Sequence, residues 1–124
     1  MSMRDPLLYV DDILEAIAHI EQYTKGADRG AFLKDAQLQD AVIRRLEVIG
    51  EAVKKIPDEW RTLYPDLPWR AIAKTRDKLI HDYFGVDLEY IWDIIGQDLA
   101  PLKSAMRNIL SSEESKKIIP KHKA

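Results

Sequence analysis

A chain of 124 residues, 46% hydrophobic and 32% charged, has enough apolar content for one packed core and too little length for two. Its net charge of −2 gives no global attraction to nucleic acid, and with no cysteine neither a disulfide framework nor a thiolate metal site can form. His19, His81 and His122 are too scattered to suggest zinc. No apolar run approaches the roughly 18 residues that a membrane span needs, and the N-terminus has neither a basic start nor an apolar signal core, so the expectation is a soluble protein of the cytoplasm without membrane contact.

Asp5-Pro6 resembles an N-cap with proline in the first turn, and Leu7, Val10, Leu14, Ile17 and Ile20 recur at helical spacing until Gly26 stops the pattern. A first helix is expected from about Pro6 to Tyr23. After a short link containing Phe32 and Leu33, Asp35 caps a second helix whose apolar positions are Leu38, Val42, Ile43, Leu46, Ile49, Val53 and Ile56, ended by Pro57. The stretch from Pro57 to Tyr64 reads as a short helical turn, and Pro65 and Pro68 make a bend that Trp60 and Trp69 would pin to the bundle. Pro68 opens a third helix that reaches Ile80 to Phe84 and stops at Gly85. Asp87 caps a fourth, carrying Leu88, Ile91, Ile95, Leu99, Leu102, Met106 and Leu110, which Pro101 should kink. No segment alternates long enough for a strand. The pattern predicts an all-α protein, an antiparallel four-helix bundle over residues 1–110, with a flexible, lysine-rich tail over 111–124.

The third helix carries a conflict. At about 100° per residue, positions 69, 72, 73, 76, 79, 80 and 83 share one stripe and read Trp, Ile, Ala, Arg, Leu, Ile and Tyr. An arginine there must be paired, line a cleft or face another subunit. A structural ion pair to Glu47 or Glu51 would satisfy Arg76, and a core role with a bonded hydroxyl would satisfy Tyr83. Asp77 and His81, four apart, can pair so that the carboxylate orients the imidazole, although a surface salt bridge of that spacing is commonplace. Arg76 and His81 lie five apart, about 140° round an ideal helix, so they converge only if the helix loosens before His81 or a second protomer completes the site. Arg70, Lys74, Arg76 and Lys78 against Asp77 form a basic island, which is either a solvated face or a local contact for RNA.

The string Arg76-Asp77-Lys78-Leu79-Ile80-His81-Asp82-Tyr83 resembles the Arg-x-x-x-x-His-x-Tyr signature of the HepT branch of the HEPN superfamily. Further resemblance lies in Arg44-Arg45-Leu46-Glu47-Val48-Ile49-Gly50-Glu51-Ala52, in Pro68-Trp69-Arg70-Ala71-Ile72 and in Ile91-Trp92-Asp93-Ile94-Ile95, covering the chain from about Arg4 to Leu110. The resemblance implies a helical bundle of HEPN type, a homodimer with the catalytic cleft at its interface, and a type VII toxin that cleaves RNA without a metal or other cofactor. Arg76 and His81 would then be catalytic, Asp77 supporting, and Arg70, Lys74 and Lys78 would hold RNA. It further implies neutralisation by a cognate minimal nucleotidyltransferase, the antitoxin, which adds AMP to the motif tyrosine, here Tyr83. A non-catalytic helical dimer that binds or regulates such a nucleotidyltransferase is the alternative from another class.

Overall fold

The computed structural model describes residues 4–81 and 87–123, with the side chains of residues 76, 79–81, 114, 115 and 117–123 outside the description. The described backbone is helical throughout its regular elements and contains no strand. Helix α1 (Pro6–Thr24) starts where the Asp5 carboxylate accepts the Leu7 amide at 2.9 Å, and Pro6 stands where a missing N–H costs nothing. It buries Leu7, Val10, Ile13, Ala16, Ile17 and Ile20. Gly26 turns the chain at φ +79°, a conformation that a side chain would strain.

The next segment, read from sequence as a link, contains helix α2 (Arg29–Lys34), capped by Asp28 on the Ala31 amide and anchored by a fully buried Phe32. Six residues are too few to display a helical period, which is why the pattern missed it. Helix α3 (Ala36–Val53) begins at the expected cap, Asp35, and buries Val42, Ile43, Leu46, Ile49, Ala52 and Val53. It stops short of Ile56, which is buried as part of the following turn. Arg61, at the end of helix α4 (Asp58–Arg61), reaches back to close α3. Its Nη2 donates to the carbonyls of Val53 (3.1 Å) and Lys54 (3.0 Å), and its Nε donates to that of Ile56 (3.0 Å). These carbonyls lie at the end of α3 and in the turn after it, where a helix runs out of its own donors. Trp60 and Trp69 are both buried, and the Trp69 indole donates to the Tyr64 carbonyl at 2.9 Å, so the tryptophans do pin the bend.

Helix α5 (Trp69–His81) is followed by helix α6 (Leu88–Gln97), whose cap Asp87 accepts the amides of Glu89 and Tyr90. The expected fourth helix is in fact two. Helix α7 (Leu99–Lys123) starts after a break at Asp98, so Pro101 falls in a first turn instead of kinking a continuous helix. The physical reason is that a proline ring clashes with the carbonyl four residues earlier, here Gln97, where α6 ends. The burial pattern shifts accordingly, to Ile94 and Ile109 rather than Ile95 and Leu110. Beyond Leu110, where the composition leads to the expectation of a flexible tail, the backbone of α7 continues helically to Lys123. Within this stretch Lys116 bonds Glu113 one turn earlier at 2.9 Å.

Helix α3 packs between α1 and α5, while α7 lies along α1. Lys103 of α7 bonds Glu21 of α1 at 2.9 Å, and the rings of Phe32 and Trp92 meet at 5.2 Å to join α2 to α6. Each fully buried aliphatic is worth roughly 1.5–3 kcal/mol against about 0–1 for an exposed ion pair, so the apolar seams of α1 and α3 hold the bundle.

Candidate active site

The sequence places its chemistry on α5, and the backbone of that helix is continuous from Trp69 to His81. The Pro68 carbonyl accepts the Ile72 amide at 3.0 Å, so the helix begins at the proline as expected. Trp69 and Ile72 are buried, Ala73 is half-buried, and Thr75 is buried as well. Thr75 escaped the sequence reading because a hydroxyl does not score as apolar. Its signal is the helical back-bond, with Oγ1 donating to the Ala71 carbonyl at 2.9 Å, which satisfies the buried group without an outside partner.

Taking Ile72 as zero and about 100° per residue, the buried positions 69, 72 and 75 span about −60° to 60°, and position 76, at about 40°, falls inside that sector. Arg70, Lys74 and Lys78 are all exposed and lie at about 160°, 200° and 240°, a single stripe. Position 81, at about 180°, falls within the basic stripe. The unbroken helix therefore puts positions 76 and 81 on different faces, and loosening before His81 is absent from the backbone. The side chains of Arg76 and His81 lie outside the description, and Tyr83 lies outside the described residues altogether.

Asp77, expected beside His81, bonds Lys54 of the neighbouring helix, with Nζ donating to its carboxylate at 3.1 Å. This contact between α3 and α5 was not legible from spacing, since it joins residues 23 apart. Both groups are substantially exposed, so the pair fixes position more than it stabilises the fold. Glu47 and Glu51, weighed as partners for Arg76, line a depression of about 310 Å³ between the first half of α1 and the second half of α3. Arg4, Tyr9, Asp12 and Arg44 share it, and Arg44 stands 3.7 Å from Glu47. Hydrogen bonding to Asp12 raises the Arg4 guanidinium above its ordinary value.

Two further features adjoin α5. Lys78 holds its ammonium 4.4 Å from the centroid of the Tyr90 ring on α6. A small cavity is enclosed by Leu46 and Ile49 of α3, Ile72 and Thr75 of α5, and Ile94, Asp98, Leu99 and Leu102 around the break between α6 and α7. Burial pushes the Asp98 carboxyl up from the usual carboxylate range.

Comparison with known proteins gives this helix its context. A family model described as "Ribonuclease HepT-like" matches residues 13–109. "Probable ribonuclease HepT" of Thermococcus cleftensis is 46% identical over 101 residues, 82% of this chain and 92% of that protein. A "Putative RNase" of Methanocaldococcus jannaschii is 41% identical over 119 residues, covering 93% of this chain and 98% of its own length. Another protein so named, from Caldanaerobacter subterraneus, is 40% identical over 112 residues, 90% of this chain and all of its own length. No solved structure matches. The chain belongs to the HepT-like ribonuclease family, in the HEPN superfamily. No described helix is long and apolar enough to cross a membrane.

Proposed function

We propose that this protein is an RNA-cleaving toxin that works as a homodimer without a metal, with Arg76 and His81 as its catalytic residues and Asp77 as a positioning residue. The observation that carries the reading, beside family membership, is the uninterrupted α5. With positions 76 and 81 about 140° apart on one rigid helix, a site using both is most simply completed by the same helix of a second copy. An arginine position within the buried sector of α5 fits the same arrangement, since a guanidinium there needs an anionic partner or a cleft.

The chemistry asks for a base, an acid and a cation. The RNA 2′-oxygen attacks the adjacent phosphorus and the bond to the 5′-oxygen breaks, leaving a cyclic phosphate and a free 5′-hydroxyl. A neutral imidazole of His81 takes the 2′-hydroxyl proton, and an imidazolium, from the second copy or after proton exchange, gives one to the departing 5′-oxygen. Arg76 offers a planar pair of donors to the phosphate and keeps its charge through the phosphorane-like transition state. Arg70, Lys74 and Lys78 supply the local attraction for RNA that the net charge of −2 does not. Control follows from the motif tyrosine: a partner nucleotidyltransferase would join the Tyr83 oxygen to the α-phosphorus of ATP with loss of pyrophosphate. The added adenylyl group would bring a phosphate charge to the place RNA must occupy.

The test uses the purified protein with RNA and EDTA. Arg76→Ala and His81→Ala should each lose cleavage by about 10²–10⁴-fold while keeping the helical signal and a dimer in sedimentation. Full activity in His81→Ala, a strict requirement for magnesium, or a monomer at micromolar concentration would each break the reading. Incubation with the partner and ATP should add one adenylyl mass to wild type and none to Tyr83→Phe.

A further inference from the structure

Tyr90 is a large aromatic that the cleavage chemistry leaves without a task. It stands in the first turn of α6, 36% exposed, with its backbone amide held by the Asp87 carboxylate at 3.2 Å, so its place at the helix start is fixed by the cap. The Lys78 ammonium lies 4.4 Å from the centre of its ring. Lys78 belongs to the exposed stripe with Arg70 and Lys74, and position 81 falls in the same sector of α5. The ring therefore sits beside the face on which the histidine position lies. Its neighbour Glu89 is neutralised by an ion pair with Arg29, which removes one negative charge from the approach.

A cationic track with an aromatic face beside it is the arrangement by which proteins hold unpaired nucleic acid: lysines follow the phosphates and rings stack on bases. Successive cations on α5 are four residues apart, a rise of about 6 Å, comparable with the step between phosphates of an extended strand. In an A-form duplex the bases are stacked on one another and closed to such a ring. We infer that Tyr90 is a stacking platform for an unpaired base next to the scissile phosphate, with Lys78 turning its ammonium to the adjoining phosphate, so that the substrate class is single-stranded RNA. The inference rests on the ribonuclease reading above and adds to it a positioning residue and a preference for unpaired substrate.

Two labelled probes test it: an unpaired oligoribonucleotide and the same strand annealed to its complement, both bound to protein carrying His81→Ala so that neither is cut. Tyr90→Leu should weaken binding of the unpaired strand about tenfold or more, Tyr90→Phe should bind as the parent does, and duplex binding should not distinguish the three. Lys78→Met should weaken both probes and reduce the salt dependence by about one counterion. In the cleaving protein, Tyr90→Leu should raise KM with kcat held. Equal binding by Tyr90→Leu and its parent overturns the inference while leaving the ribonuclease reading intact, as does an equal loss on both probes. Undiminished RNA binding by a Tyr90→Leu protein that no longer sediments as a dimer assigns the ring to a protein interface and also overturns it. Failure of the wild type to bind or cut either RNA removes both readings together.

Discussion

Helix α3 buries Val42, Ile43, Leu46, Ile49, Ala52 and Val53, whereas α5, over its described side chains, buries Trp69, Ile72 and Thr75 and sets Arg70, Lys74 and Lys78 in solvent. The two helices pack against each other, so the difference is not one of location in the bundle. Helix α3 has apolar neighbours on both sides, α1 and α5, and spends its residues on burial. Helix α5, over its described side chains, turns a short apolar flank to the bundle and keeps a charged stripe in solvent. A helix whose exposed face carries cations held by little packing contributes less to stability than to recognition, and that division lets the site vary without dissolving the core.

The widest separation between the two helices should come from Ile49→Ala. Ile49 is 1% exposed and lines the cavity against Ile72 and Thr75, so truncation should cost about 2–5 kcal/mol in urea unfolding. Substitutions on the exposed stripe, such as Lys74→Ala, should move the same midpoint by no more than about 0.5 kcal/mol. Equal effects would break the comparison. A smaller effect is expected where the helices are linked: Lys54→Met removes the 3.1 Å bond to Asp77. It should change stability by about 0–1 kcal/mol, less at high salt, yet alter cleavage more than an exposed ion pair elsewhere, because it removes a cationic partner from the residue next to position 76. Unchanged kinetics in Lys54→Met would confine that pair to the surface.

The smallest effect concerns Asp98, which meets α3 and α5 at the break between α6 and α7. Its folded pKa is raised by burial above the ordinary value, so the native state binds the proton more tightly than the unfolded chain does. Its contribution is fully present below the unfolded pKa and is lost as pH rises through the raised folded value. Asp98→Asn should therefore flatten the fall in stability across the mildly acidic range and match or slightly exceed the wild type at neutral pH. An unchanged pH profile would mean that the carboxyl is solvated.

The caps show how local much of the fold is: Asp5, Asp35 and Asp87 each accept an amide at the start of the helix that the sequence assigns to them. The same holds for the site helix, whose start at Pro68 and exposed stripe of Arg70, Lys74 and Lys78 follow from the proline and the spacing. What spacing missed was either too short to have a period, as in α2, or polar by composition and buried by circumstance, as in Thr75. Pro101 breaks the helix where its spacing suggests a kink, because its clash acts on residue 97 and ends α6 before the ring is reached.

Sequence alone therefore determined the helical class, the starts of α1, α3, α5 and α6, and the apolar seams of α1 and α3, because hydrogen bonding and periodicity act within a few residues. Only the tertiary structure decided that Asp77 meets Lys54, that Arg61 closes α3, that Lys78 lies over Tyr90, and that Asp98 stands at a buried break. Each of those joins residues from different elements, and which side chains meet across a helix interface is set by how the helices pack, a property that no single helix carries in its own pattern.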